Sequence, residues 1–417
     1  MGLVYIDDIK PGMKLEKDLI CPNGRFLLAS GAVFELKHIK IARSWGITEA
    51  FIEGTDKKTL DSAAEAEFQP EILEAAERVL AHNYKFVDFS VEAMEEIYRL
   101  NKLAIASDIS SGKVNTEKLF QESVPEKFEP PKPLEKSNIS AKWIVDKEVG
   151  LASFPDIYYK INEVLNSPTS SASHMADVVE KDTSLSAKLL KIVNSAFYSF
   201  PSRIDSIRRA ITIIGTKELA TLAVGISAIE AFKGIPSELT NMRLFWRHSI
   251  ACGVFARLLG TYIEGVSTER LFVSGLLHDI GRLVIFRSMP EHSAYSLYLS
   301  IKEGRPLCET EKEVFGFEHA DVGSTLMEKW KFPEKLIKNV RFHHADAAVT
   351  VESSIVNVAD CLAIAFGSPV SISNCVPSIN SRIWSSLGLS ASVIQPIVNQ
   401  SERQIEEIED VFFAVQK

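Results

Sequence analysis

The stretch Leu271-Phe272-Val273-Ser274-Gly275-Leu276-Leu277-His278-Asp279-Ile280-Gly281-Arg282-Leu283-Val284-Ile285-Phe286 decides how this chain is read. It is apolar on both sides of His278-Asp279, shows no period-two alternation, and is too long for a typical strand, so it predicts a buried helical run. An aspartate in such a run is costly unless a partner or a cation compensates it. His278-Asp279 is therefore the first candidate for chemistry.

The same anomaly recurs on either side. Upstream, Leu244 to Leu259 has an apolar stripe of Leu244, Phe245, Ala251, Cys252, Phe255, Leu258 and Leu259, and helical spacing puts His248 on it. Downstream, His319 shares a helical face with Val322, Gly323 and Leu326. His343-His344 ends a helix begun near Pro333, and Asp360 interrupts the apolar run from Ile355 to Phe366. The result is H-x29-H-D-x39-H-x23-H-H-x15-D, with five of the nine histidines. Neutral imidazoles and carboxylates gathered from separate helices of a bundle are what one or two divalent cations need. The same residues could instead be hydrogen-bonded polar groups of a closed core, because spacing along one helix does not show that separate helices converge.

Composition bounds the rest. The 417 residues predict two or three folded units, and 46% hydrophobic with 24% charged residues is the balance of a globular chain. A net charge of −9, with acidic excess in both halves, argues against a nucleic-acid partner. No apolar run reaches the roughly 18 residues of a membrane span, and the N-terminus lacks a basic and apolar leader. The five cysteines, Cys21, Cys252, Cys308, Cys361 and Cys375, never form C-x-x-C, which fits a reducing, cytoplasmic setting. No Gly-rich phosphate loop and no internal repeat occurs.

Residues 1–54 read as a small α+β module. Strands are expected near 13–20 and 25–29 around Pro22-Asn23-Gly24, a helix from Glu35 to Trp45, and a returning strand at Ala50-Phe51-Ile52. Residues 55–113 read as a helical arm. Its stripes, Ile72, Ala75, Ala76, Val79 and Leu80, then Met94, Ile97, Tyr98, Leu100 and Leu103, would suit a homodimer. Residues 114–137 hold four prolines and read as a linker. Residues 138–417 read as all-α. Helices at Ser184–Ser195 and Ser206–Gly215 have helix-turn-helix spacing but no basic recognition face, so they are expected to pack in the core. Trp246 and Trp330 should pack the bundle, and Arg208-Arg209 should be a solvated helix face.

At this point the residues meet a known family. His248, Leu276 to Gly281 and Asp360 in Val358-Ala359-Asp360 resemble the HD superfamily of metal-dependent phosphohydrolases. Within it, residues from about 138 to 345 resemble the HDOD family, a regulatory branch of bacterial signalling proteins. The resemblance rests on Phe154-Pro155, Asp182 to Leu190, Val193 to Tyr198, Ala210-Ile211 with Gly215, Trp246 to Ser249, Gly275 to Gly281, Glu318 to Gly323, Trp330 and His343-His344. Residues 5–53 resemble the module that precedes many cyclic-di-GMP-hydrolysing HD-GYP domains, through Ile9 to Met13, Gly24 to Leu28 and Trp45-Gly46-Ile47. A generic docking or dimerisation module fits them equally well.

The resemblance implies a mainly α protein: an all-α HD-type bundle after the small α+β module and the arm. It implies two divalent metal ions, such as iron or manganese. His248, His278, Asp279 and Asp360 would hold one, and Asp279, His319, His343 and His344 the other, with Asp279 as the bridge. Arg282 stands where the hydrolases usually carry lysine, and would contact phosphate in an active enzyme. Ala345-Asp346-Ala347-Ala348-Val349-Thr350 lacks the Gly-Tyr-Pro signature of the cyclic-di-GMP enzymes. HDOD domains are regarded as regulatory modules without their relatives' catalysis. The expectation is thus a non-enzymatic regulator or scaffold that binds signalling partner proteins. Its rival is a metal-dependent phosphohydrolase acting on a nucleotide or cyclic dinucleotide.

Overall fold

The computed structural model of the protein describes residues 2–21, 24–113, 139–147, 156–166, 171–230, 232, 235, 239–367 and 375–413. The fold is mainly helical with a small two-sheet region at the N-terminus. The expected linker at 114–137 lies outside the described residues, as do Pro22 and Asn23 of the hairpin and Phe154-Pro155.

The N-terminal region contains β1 (Gly2–Tyr5), β2 (Leu19–Ile20), β3 (Phe26–Leu28), α1 (Leu36–Ser44) and β4 (Glu49–Ile52). β1 pairs antiparallel with β4, Val4 opposite Ala50, and β2 pairs antiparallel with β3. The expected strand over 13–20 is shorter than its pattern suggested. Leu15 N–H donates to Ala32 O at 2.8 Å, while Glu16 N–H donates to Phe51 O at 2.8 Å. The segment therefore makes isolated bridges, to the loop at 32–33 on one side and to β4 on the other, and only Leu19–Ile20 extends a sheet. β1 had no signal of its own, being four residues with no alternation long enough to read. Val4, Leu15, Phe34, Ile39 and Ile52 form a core separate from the main one.

Next come α2 (Lys57–Glu65), α3 (Pro70–Asn83) and α4 (Glu92–Ser110). The stripes that would suit a dimer turn inward: Leu80, Met94 and Ile97 belong to the main hydrophobic core. Lys57 Nζ lies 3.3 Å from Asp8, 2.6 Å from Asp61 and 3.4 Å from Glu96, tying the N-terminal region to these helices.

The remaining helices are α5 (Ala141–Lys147), α6 (Asp156–Asn166), α7 (Ala172–Glu180), α8 (Thr183–Val193), α9 (Ile207–Ile214), α10 (Thr216–Glu230), α11 (Met242–Gly260) and α12 (Thr268–Leu277). They continue as α13 (Ile280–Ser288), α14 (Pro290–Glu303), α15 (Leu307–Phe315), α16 (His319–Lys329), α17 (Glu334–Arg341), α18 (Val351–Leu362), α19 (Ser381–Leu387) and α20 (Ile394–Phe413). Side-chain caps start many of them, with Asp182, Ser206, Asn241, Ser267 and Thr350 each accepting a first-turn N–H. Among the described residues no single helix is long and apolar enough to cross a bilayer.

The helix-turn-helix look-alike is core structure. Leu185, Leu189, Ile207 and Ala210 are buried, and Arg208 is a half-exposed partner of Asp177 on α7. Asn194 closes the intervening loop: its Nδ2 donates to Leu190 O (2.7 Å) and Ile204 O (2.8 Å), and its Oδ1 accepts from Ile204 N (2.7 Å). With each bond worth about 1 kcal/mol, Asn194→Ala should lower unfolding free energy by about 2–3 kcal/mol. Urea titration of the two proteins would show it, and a change below about 0.5 kcal/mol would contradict this role.

The run from Leu271 to Phe286 is not one helix but two. α12 ends at Leu277, α13 begins at Ile280, and His278 and Asp279 form the break. Four glycines set the approach of the surrounding helices. A Cβ on Gly275 would stand 2.6 Å from Gly253 N and 2.7 Å from Cys252 O, so α11 and α12 touch backbone to backbone. A Cβ on Gly281 would stand 2.0 Å from His319 O and 2.6 Å from Gly323 N, so α13 and α16 do the same.

Candidate metal centre

These approaches bring all seven sequence-nominated residues into one cluster. His248 comes from the middle of α11, His278 and Asp279 from the α12–α13 break, and His319 from the first turn of α16. His343 and His344 follow the end of α17, and Asp360 lies in the last turn of α18. Two trios result, His248 with His278 and Asp360, and His319 with His343 and His344, and a third group joins His278, Asp279 and His343.

Asp279 stands between the trios. Its Oδ1 is 3.4 Å from His278 Nε2 and 3.0 Å from His319 Nε2, and its Oδ2 is 3.6 Å from His248 Nε2. Asp360 Oδ1 is 3.2 Å from His248 Nε2 and 3.3 Å from His278 Nε2. His278, Asp279, His319, His343 and Asp360 are buried, while His248 and His344 are partly exposed. Each trio thus has one member at the solvent edge.

The imidazole orientations follow from their outer nitrogens. His278 Nδ1 faces Gly275 O at 2.7 Å and His343 Nδ1 faces Val340 O at 2.6 Å. A carbonyl only accepts, so both Nδ1 atoms carry the proton and both Nε2 atoms turn a lone pair inward. His319 Nδ1 faces the Glu311 carboxylate at 2.5 Å, with the same consequence. The Nε2 atoms then crowd together: 3.3 Å between His248 and His278, 3.3 Å between His319 and His343, and 3.1 Å between His319 and His344. Lone pairs at that separation repel unless positive charge lies among them.

A cation is the fitting occupant. Donors sharing one ion at about 2.1 Å stand about 3.0 Å apart at right angles and about 3.4 Å apart at the tetrahedral angle, the spacing found here. Asp279 Oδ1 is buried and has no hydrogen-bond donor. Three carboxylates, Asp279, Asp360 and Glu311, face one guanidinium, Arg282, leaving two negative charges if the imidazoles are neutral. The donor set, nitrogen with carboxylate oxygen, suits zinc, iron or manganese.

Without an ion, the protein groups draw protons to the same place, where a cation would compete with them. Burial raises the Asp279 carboxyl, but Arg282, His278 and His319 outweigh it and hold it well below the carboxylate range. Burial also raises Asp360, and hydrogen bonds with His248 and His278 pull it well below. Burial lowers His278, but the charge of Asp279 lifts it well above the ordinary imidazole value. Burial and Arg282 lower His319, yet Glu311 and Asp279 lift it to about 9. Burial, with His278 and His319 nearby, drops His343 to about 3, and burial with His343 lowers His344 strongly. Positive charge is drawn to the stretch around Asp279.

Arg282 lies one turn along α13 from Asp279, and its Nη1 donates to Asp279 Oδ2 at 2.6 Å. Its guanidinium is thus engaged with the protein's own carboxylate. Sequence reasoning missed Glu311, which accepts from both the ring and the backbone N–H of His319, and Asn357, whose Nδ2 donates to His343 O at 2.7 Å. Glu311 did carry a signal. Leu307, Thr310, Glu311, Val314 and Phe315 lie on one buried face of α15, and a glutamate on an apolar stripe asks for a partner.

Comparison with known proteins bears on the family. The HDOD domain family model matches residues 151–346. An uncharacterised protein of Treponema pallidum (strain Nichols) is 25% identical over 203 residues, 48% of this chain and 39% of that protein's length. A candidate phosphohydrolase of Shewanella amazonensis SB2B superposes with TM-score 0.52 at 20% identity, over 66% of this chain and 99% of that one. An HDOD domain protein of unknown function from Geobacter sulfurreducens superposes with TM-score 0.50 at 24% identity, over 65% of this chain and 100% of that one. At such identities the structural likeness is one of fold. The family match covers α6 through His344 and contains six of the seven clustered residues, so this stretch of the chain carries an HDOD domain.

Proposed function

We propose that this protein is a signal-transduction regulator whose HDOD domain holds divalent metal at the seven-residue cluster and acts through partner proteins. The observation that carries the metal reading is Asp279 Oδ1, buried without a donor and faced by inward imidazole nitrogens at 3.0 and 3.4 Å. His278 and His343 are held by backbone carbonyls, so their Nε2 atoms are preset as donors. His248 and Asp360 complete one side, His319 and His344 the other. These donors come from segments between α11 and α18, so occupancy and helix packing are thermodynamically linked, which is what a regulator needs. The non-enzymatic part is supported by Arg282, which is engaged with Asp279, and by burial of five of the seven donors.

A second reading, metal-dependent phosphohydrolase, is favoured by one observation: each trio has a partly exposed histidine, His248 or His344, at which a phosphate could approach. A bound divalent cation would supply Lewis acidity toward phosphoryl oxygens there.

Elemental analysis of the purified full chain tests the common premise. At least one equivalent of iron, manganese or zinc is expected. Metal at 1,000-fold excess over its Kd should add about 4 kcal/mol of stability, read as a melting temperature that falls by several degrees on chelation. Absence of metal after reconstitution under reducing conditions would overturn both readings. Hydrolysis of bis-p-nitrophenyl phosphate or a cyclic dinucleotide by the loaded protein would favour the second over the first.

A further inference from the structure

We propose that Glu311 and Arg282 are positioning residues of the metal cluster, locking His319 and Asp279 into a closed charged ring; the inference rests on the metal reading above. Arg282 Nη1 donates to Asp279 Oδ2 at 2.6 Å. Arg282 Nε lies 3.8 Å from Glu311 Oε1. Glu311 Oε2 accepts from His319 Nδ1 at 2.5 Å and from His319 N at 2.9 Å. His319 Nε2, 3.0 Å from Asp279 Oδ1, closes the circuit. Glu311 is 2% exposed and Asp279 1%, so water competes little for any of these contacts.

Each member has a separable task. Glu311 grips one residue at two points, its backbone N–H and its ring N–H, so the His319 imidazole cannot rotate without giving up one of them. The proton is thereby kept on Nδ1, and Nε2 is presented toward Asp279 with the basicity that a carboxylate partner confers. Arg282 occupies Oδ2 of Asp279, which leaves Oδ1 as the oxygen free to serve as a donor. The planar guanidinium meets both carboxylates from a single side chain, which a lysine ammonium, a point charge, does less well. The residue expected to face phosphate thus faces Asp279 and Glu311.

The test is Mn2+ titration by calorimetry into metal-free full-length protein, for wild type, Glu311→Gln, Arg282→Lys and Glu318→Gln. Glutamine keeps the length and an accepting oxygen but removes the charge. Glu318, next to His319 and paired with Lys312 at 3.0 Å, controls for loss of any nearby carboxylate. Glu311→Gln should weaken Mn2+ binding about 10- to 100-fold and Arg282→Lys about 10-fold. Glu318→Gln should stay within about twofold of wild type. Unchanged affinity in Glu311→Gln, or equal weakening in Glu318→Gln, would overturn the positioning role while leaving the metal reading intact. Failure of wild type to bind Mn2+ would overturn the metal reading and this inference with it.

Discussion

Replacing Asp279 by asparagine is expected to reduce bound metal from at least one equivalent to background. Asparagine preserves the shape of the side chain, so the loss isolates the effect of charge. Asp279 lies within 3.6 Å of an imidazole nitrogen from three different segments, and its Oδ1 is the donor-free buried oxygen of the cluster. Without its charge, Asp360 and Glu311 face Arg282 alone, and the attraction for a divalent cation is halved in formal terms. The same substitution removes the anionic partner of buried Arg282. Breaking a buried ion pair from one side destabilises by about 3–5 kcal/mol, so the metal-free variant should also unfold at lower denaturant than metal-free wild type. Elemental analysis and a urea titration read both effects, and a variant holding metal at the wild-type level would refute the central role of Asp279.

Gly281→Ala should be as damaging, for a different reason. The added methyl would sit 2.0 Å from His319 O and 2.6 Å from Gly323 N, atoms of a neighbouring backbone that no rotamer change can move. α13 and α16 must separate, and the separation acts directly on the 3.0 Å approach of Asp279 to His319. Overpacking of this kind costs about 1–3 kcal/mol where side chains can yield, and more where they cannot. A loss above about 3 kcal/mol with impaired metal binding is therefore expected. Gly323→Ala is the internal comparison: its nearest contacts are at 3.2 and 3.3 Å, two of the three to side-chain atoms, and its loss should be clearly smaller. Equal stability of the two variants in chemical denaturation would mean that the close crossing does not set the geometry of the cluster.

The cluster was legible in the sequence because each of its members violates a helical pattern. His248 on an apolar stripe and His278-Asp279 amid leucines announce themselves locally, and the family resemblance supplied the grouping that periodicity could not. Glu311 escaped although it violates its own stripe in the same way, because one glutamate among the many charges of α15 looks like surface. The break between α12 and α13 was hidden, since apolar residues on both sides keep the helical spacing continuous across it. In the N-terminal region the helix and the returning strand were readable from their pattern, whereas β1 depends on a partner nearly fifty residues away. The bridges of Leu15 and Glu16 to the loop at Ala32 and to β4 are decided by tertiary hydrogen bonds that no local pattern records.

The donors of the cluster are spread from His248 on α11 to Asp360 on α18, which has a consequence for biosynthesis. No shorter stretch of the emerging chain holds both trios, and the final carboxylate leaves the ribosome more than a hundred residues after the first imidazole. The trio of His248, His278 and Asp360 can be complete only after α11 through α18 have assembled. On the proposed metal reading, completion of the cluster would be a late event in the life of each molecule, a seal on a finished domain rather than a nucleus for folding it.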